Sequence, residues 1–223
     1  MTFSLVARCP ETGRFGMVIS SSSPAVAARC AHARAGVGAV ASQNVTDPRL
    51  GPRGLDLMAG GASAAEAVAV VARSPHAAYR QVLAVDGAGG VAIHSGPKAL
   101  GIWAEAKGDG AAAGGNLLAN PGVPAAMVAG FAAAKGDLGD RLVAALRAGL
   151  VAGGEAGPVH SAGMLIVDRQ PWPYAELRCD WTEGCPIAAL EAAWAVYKPQ
   201  AEAYVTRALD PSEAPSYGVP GDE

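Results

Sequence analysis

The chain has 223 residues, of which 51% are hydrophobic and 17% charged, ample for a substantial core and unlike a disordered chain. A formal net charge of −3 gives no basic footprint, which argues against a nucleic-acid partner. The start lacks a cationic segment leading into an apolar run and a cleavage site, and the long uncharged stretch 110–134 is broken by Asn116, Asn120, Pro121 and Pro124. The expectation is a cytoplasmic chain with no membrane partner.

In chain order, apolar runs at residues 3–8 and 15–20 flank CPETGR, whose proline and glycine predict a reversal and hence a β-hairpin. PAVAARCAHARAG predicts one or two helical turns ended by Gly36, and VGAVASQ a strand. NVTDPRLGPRGL reads as a polar loop running into a short helix. SAAE opens the next helix as a capping box, with Ser63 as N-cap and Glu66 reaching back. RQVLAVDGAGGVAIHSG predicts a second hairpin turning at GAGG. VPAAMVAGFAAAKG and LGDRLVAALRAGLVAGG predict a helix pair, each closed by glycine. SAGMLIVDRQPWPYAELRCD predicts a third hairpin. PIAALEAAWAVYKPQAEAYVTRAL predicts a terminal helix kinked at Pro199. Hairpins outnumber strand–helix–strand alternations, so the pattern favours an antiparallel α+β fold over a doubly wound sheet. Residues 1–209 read as a single domain and 210–223 as a Pro/Gly-rich acidic tail.

Several patterns carry candidate chemistry. GDGAAAGG (108–115) has the wrong spacing for a dinucleotide loop and reads as a structural glycine turn. VHSAG (159–163) lacks the first glycine of a nucleophile elbow, and Ser161 leads into a strand rather than a helix. A serine hydrolase built on Ser161 with His160 or His94 is therefore a weak reading. Cys9, Cys30, Cys179 and Cys185 lack zinc spacing, and without a secretion signal free thiols are expected.

Thr2 offers more. It stands directly before a buried-looking strand, which could hold it in place rather than let it fray. Removal of Met1 would leave a hydroxyl and a free α-amine on one residue, and an α-amine titrating near pH ~8 can serve as a base at neutral pH. Threonine with its own terminal amine is an established form of activated nucleophile. Such a site needs oxyanion donors. GGNLLAN places Asn116 in a loop after a strand, and SSSS (20–23) and SQN (42–44) stand at the ends of two further strands.

TFSLVARCPETGRFGMVISSSSPAV, ARAGVGAVASQ, DPRLGPRGLDLMAGGASAAEA, GGNLLAN and HSAGMLIV together resemble a widespread bacterial family. It is catalogued as a domain of unknown function and grouped with the N-terminal nucleophile (Ntn) hydrolases. The likeness runs in order over roughly residues 2–180. Cys9 and Ser22 depart from it, standing where members commonly carry aspartate and lysine. The resemblance implies a four-layer αββα sandwich of two antiparallel sheets, and amide-bond hydrolysis by Thr2. On that reading Thr2 and Asn116 are catalytic, Ser21 and Ser22 orient the amine, and Asn44 offers a further donor to substrate. Arg53 could hold a substrate carboxylate. The substrate class is a small amide or related C–N bond, no cofactor is required, and a homodimer stays open. The alternative is a non-catalytic Ntn-like binding or assembly module.

Overall fold

Ten strands and seven α-helices follow one another in a computed structural model that describes residues 2–221. In chain order they are β1 (Thr2–Arg8), β2 (Phe15–Ser21), α1 (Ala27–Cys30), β3 (Ala31–Arg34), β4 (Gly38–Gln43), α2 (Leu50–Ala59), α3 (Ala64–Val71), β5 (Gln81–Asp86) and β6 (Val91–Ser95). Then come β7 (Ala104–Gly108), β8 (Ala111–Asn116), α4 (Val123–Ala133), α5 (Leu138–Val151), β9 (Ser161–Val167), β10 (Pro173–Cys179), α6 (Pro186–Tyr197) and α7 (Ala201–Leu209). The architecture is mixed α+β with two antiparallel sheets, ordered β10-β9-β2-β1-β8-β7 and β3-β4-β5-β6. Among the described residues no helix is long and apolar enough to cross a membrane.

Three apolar clusters set the layering. One joins Phe3, Leu5, Met127, Leu142 and Trp194, and so lies between the six-stranded sheet and α4, α5 and α6. A second joins Val6, Met17, Ile19, Ala41 and Leu83, between the two sheets. The third joins Val40, Leu55, Val68 and Val82, under α2 and α3. The arrangement is consistent with a sandwich. It also explains the uninterrupted apolar runs of β1 and β2: both faces of these strands are covered, so neither face has to be polar. Phe3 and Leu5 point to the helices, while Thr2, Ser4 and Val6 alternate toward the other sheet.

Local signals set several boundaries. The first hairpin turns through Gly13 at φ 75°, with Cys9 N–H bonded to Arg14 O at 2.9 Å. The Ser63–Glu66 capping box forms, with Ser63 N–H to Glu66 Oε2 at 2.8 Å. A 3-10 turn over Lys198–Gln200 separates α6 from α7, so Pro199 interrupts the terminal helix as its missing N–H requires.

Three expectations need correction. The alanine-rich segment after Pro24 is helical only over α1; AHAR becomes β3, pairing Ala31 with Ala41, because the ladder offered by β4 outweighs the helical propensity of its alanines and arginine. Of the helix pair, α5 is followed by Gly153 at φ 123°, whereas α4 ends in the extended Ala134, two residues before Gly136. Finally, GDGAAAGG is not merely a glycine turn. Gly108 ends β7 and only Asp109–Gly110 turn; Ala111–Asn116 form β8, the other hydrogen-bonded neighbour of β1. A Cβ on Gly115 would sit 3.1 Å from Thr2 O and 2.6 Å from Leu118 Cδ2, so closeness to β1 selects glycine there despite its poor strand propensity.

Candidate functional site

The site forms at one end of the space between the sheets. Thr2 is the first residue of β1 and pairs in register with Asn116, the last of β8. On the other side of β1, Phe3 pairs with Ser20, which sets Ser21 beside Thr2. All three are buried, and by strand alternation they share the face turned to the four-stranded sheet. Asn116 is therefore the end of a strand rather than a loop residue, and its side chain is fixed more firmly than a loop position would allow.

That fixation comes from a buried polar network bridging the sheets. Ser4 Oγ donates to Gln43 Oε1 at 2.6 Å, and Gln43 Nε2 donates to Gln81 Oε1 at 2.7 Å and to Gly114 O at 3.2 Å. Gln81 Nε2 donates to Ser95 Oγ at 2.9 Å and to Gly115 O at 3.3 Å. Asn116 Nδ2 reaches Gln81 Oε1 at 3.5 Å, the outermost link of the chain. Buried amides of this kind are satisfied or costly, and here each finds partners.

Thr2 and Asn116 line a depression of about 250 Å³ together with Ser23, Arg29, Cys30 and Asn44. The backbone around it is conformationally unusual. Asn44 and Val45, which line it, and Ala25 and Leu117, next in sequence to the lining residues Val26 and Asn116, all have φ between 48° and 58°, four of the five non-glycine residues with positive φ among the described residues. Left-handed backbone at such residues costs energy and gathers at functional sites. A larger depression, about 330 Å³, is lined by Arg8, Asp109 and Arg141 but offers no hydroxyl, thiol or imidazole.

The expected residues divide clearly. Thr2, Asn116 and Asn44 meet at the depression. The Asn44 amide is already engaged, donating to Tyr79 O at 2.6 Å and accepting from Leu100 N–H at 3.2 Å, so its main work is to hold the rim. Ser21 Oγ lies 2.8 Å from Ser23 Oγ and accepts from Ser23 N–H at 3.0 Å. Ser22 contributes its backbone N–H, bonded to Glu155. Arg53 does not join them. It lies on α2 in a separate depression with Asp47 and Arg49, bonded to Ser74 Oγ at 3.0 Å.

Two residues that sequence reasoning passed over belong here. Arg29 is the cation of the depression, its guanidinium held by Pro24 O, Ala25 O and Ser23 Oγ at 2.6–3.1 Å. Glu155 is buried at 4% exposure, and both carboxylate oxygens face Ser22 N–H at 3.0 and 3.2 Å. Burial pushes it up to about 7, against the hydrogen bonds from Ser22. Its only sequence signal was an acid in the glycine-rich turn GGEAG.

Competing nucleophiles are otherwise occupied. Ser161 Oγ donates to Ser23 O at 2.6 Å and accepts from Val26 N–H at 3.3 Å, which ties the 21–26 segment to β9. His160 Nδ1 donates to Thr182 O at 2.8 Å, and its ring stacks on Trp181 at 4.4 Å. Cys30 lies in the depression, but burial pushes its thiol up, which leaves little thiolate to attack.

The family of unknown function DUF1028 matches residues 2–190. The crystal structure of protein SPO2555 from Silicibacter pomeroyi, assigned to the same family, is similar with a TM-score of 0.83 and 31% sequence identity, over 88% of this chain and 86% of that one. No curated protein matches the chain. The chain belongs to the DUF1028 family.

Proposed function

We propose that this protein is an N-terminal nucleophile amidohydrolase, which cleaves a small amide or related C–N bond through Thr2 once Met1 has been removed. The observation that carries the reading is the pairing of Thr2 with Asn116 on the lip of one depression, at the end of an interior strand. Thr2 Oγ attacks the substrate carbonyl while the α-amine, directly or through a water, takes its proton. The Asn116 amide and a neighbouring backbone N–H hold the developing oxyanion. Water then releases the acyl group. The layering of helices on two apposed antiparallel sheets supports an Ntn-like αββα sandwich. Unbridged cysteines at all four positions support a cytoplasmic setting.

Two measurements test this. Intact mass of the native protein must show loss of Met1, since a retained methionine blocks the amine. A screen of small amides, cyclic imides and acyl-amino compounds should then yield a turnover that Thr2→Ala abolishes with the fold intact, while Ser161→Ala and His160→Ala retain measurable activity. Activity that survives Thr2→Ala, or that persists in protein fully retaining Met1, overturns the mechanism in favour of a non-catalytic module.

A further inference from the structure

β1 is paired with β8 up to Thr2 and with β2 up to Phe3, so the path leading out from Thr2 runs between Ser22 on one side and Leu117 on the other. Glu155 straddles that gap. Its carboxylate accepts from Ser22 N–H, its backbone bridges Leu118, and the adjoining Ala156 N–H donates to Leu117 O at 3.0 Å. The residue thus lies across the open end of β1, touching the segments that continue both flanking strands.

We propose that Glu155 is the positioning residue for the α-amine that Thr2 acquires on loss of Met1, its carboxylate accepting a hydrogen bond from that amine across the end of β1. The inference rests on the N-terminal nucleophile reading only in requiring that amine. As Oγ attacks, its proton passes to the amine nitrogen and creates an ammonium, whose charge the carboxylate balances. The ammonium then returns the proton to the departing nitrogen of the substrate, and the amine is regenerated. A buried carboxylate is costly without a cationic partner, and among the described residues no lysine or arginine side chain pairs with Glu155. Burial already lifts Glu155 to about 7, within reach of an α-amine that ordinarily titrates near ~8, so the two groups should share their protons. The other titratable side chain facing this carboxylate is that of His160, whose backbone N–H donates to Ser21 O at 2.9 Å, and the cation lining the depression beside Thr2 is Arg29. Both remain in the variants below.

The test needs no substrate. Met1-free protein, verified by intact mass, is labelled with 13C-threonine, and the Thr2 amine is titrated through its 13Cβ shift. In Glu155→Gln the amide oxygen still accepts from Ser22 N–H, but the charge is gone. The amine pKa is expected to fall by about one unit or more, as removal of a neighbouring opposite charge does. Glu155→Asp, which keeps the charge, should fall less. An amine pKa unchanged in a folded Glu155→Gln protein overturns the proposal. If that variant does not fold, the wild-type protein decides: the Glu155 13Cδ signal should show a second step at the amine's own pKa, and a single-step curve overturns the pairing. Failure to find any hydrolysis would leave this titration standing. An uncoupled amine in an enzyme that Thr2→Ala inactivates would remove Glu155 alone.

Discussion

Replacing Gln81 by leucine is the most informative perturbation of the ground beneath the site. Gln81 is fully buried, and its Oε1 accepts from Gln43 Nε2 at 2.7 Å and from Asn116 Nδ2 at 3.5 Å. Its Nε2 supplies Gly115 O, next to Asn116 on β8. Leucine keeps the volume but strands one Gln43 hydrogen, the Gly115 carbonyl and the Asn116 amide. Each buried group left unpaired costs about 1–3 kcal/mol, while the apolar side chain and partial re-pairing, as of Gln43 with Gly114 O, offset part of that. The expected loss is about 2–4 kcal/mol in urea unfolding followed by tryptophan fluorescence. Gln43→Leu combined with Gln81→Leu removes both members of the central pair, so the double variant should lose at least about 1 kcal/mol less than the sum of the singles. A single variant within about 0.5 kcal/mol of wild type, or strictly additive singles, would refute the claim that the network is satisfied and cooperative. On any substrate found for Thr2, Gln81→Leu should also lower kcat more than it raises KM, because the Asn116 donor loses its brace.

Two further predictions concern the surroundings of the site. Gly96→Ala should destabilise the fold by about 1–3 kcal/mol and loosen the rim, because the added methyl would lie 2.3 Å from Ala78 O, beside the Tyr79 carbonyl that holds Asn44; an unchanged urea midpoint would refute this. Thiol titration without reductant should find four thiols after unfolding and Cys185 reacting first in the native protein, since Cys9 and Cys30 are buried and Cys179 half-buried; a count of two would reveal a disulfide.

Much of the frame is written locally. The first hairpin, the Ser63–Glu66 cap, the break at Pro199 and the position of Thr2 at a strand's start each depend on residues within a few positions of one another. A proline lacks its N–H and a capping side chain reaches its backbone partner whatever the rest of the chain does. The tertiary structure alone decided the rest. AAAGGN becomes a central strand because β1 and the residues of β5 approach too closely for larger side chains, a constraint that intrinsic propensity does not contain. AHAR becomes an edge strand because β4 offers it an unpaired ladder. Arg53, on a promising GPRG motif, is carried by α2 to a different depression, while Arg29, without any motif, lines the Thr2 depression from α1, and Glu155 reaches Ser22 N–H from the turn after α5. Alternation along a strand assigns a residue its face, but only the order of strands in the sheet, set by contacts more than a hundred residues apart, determines which side chains that face meets.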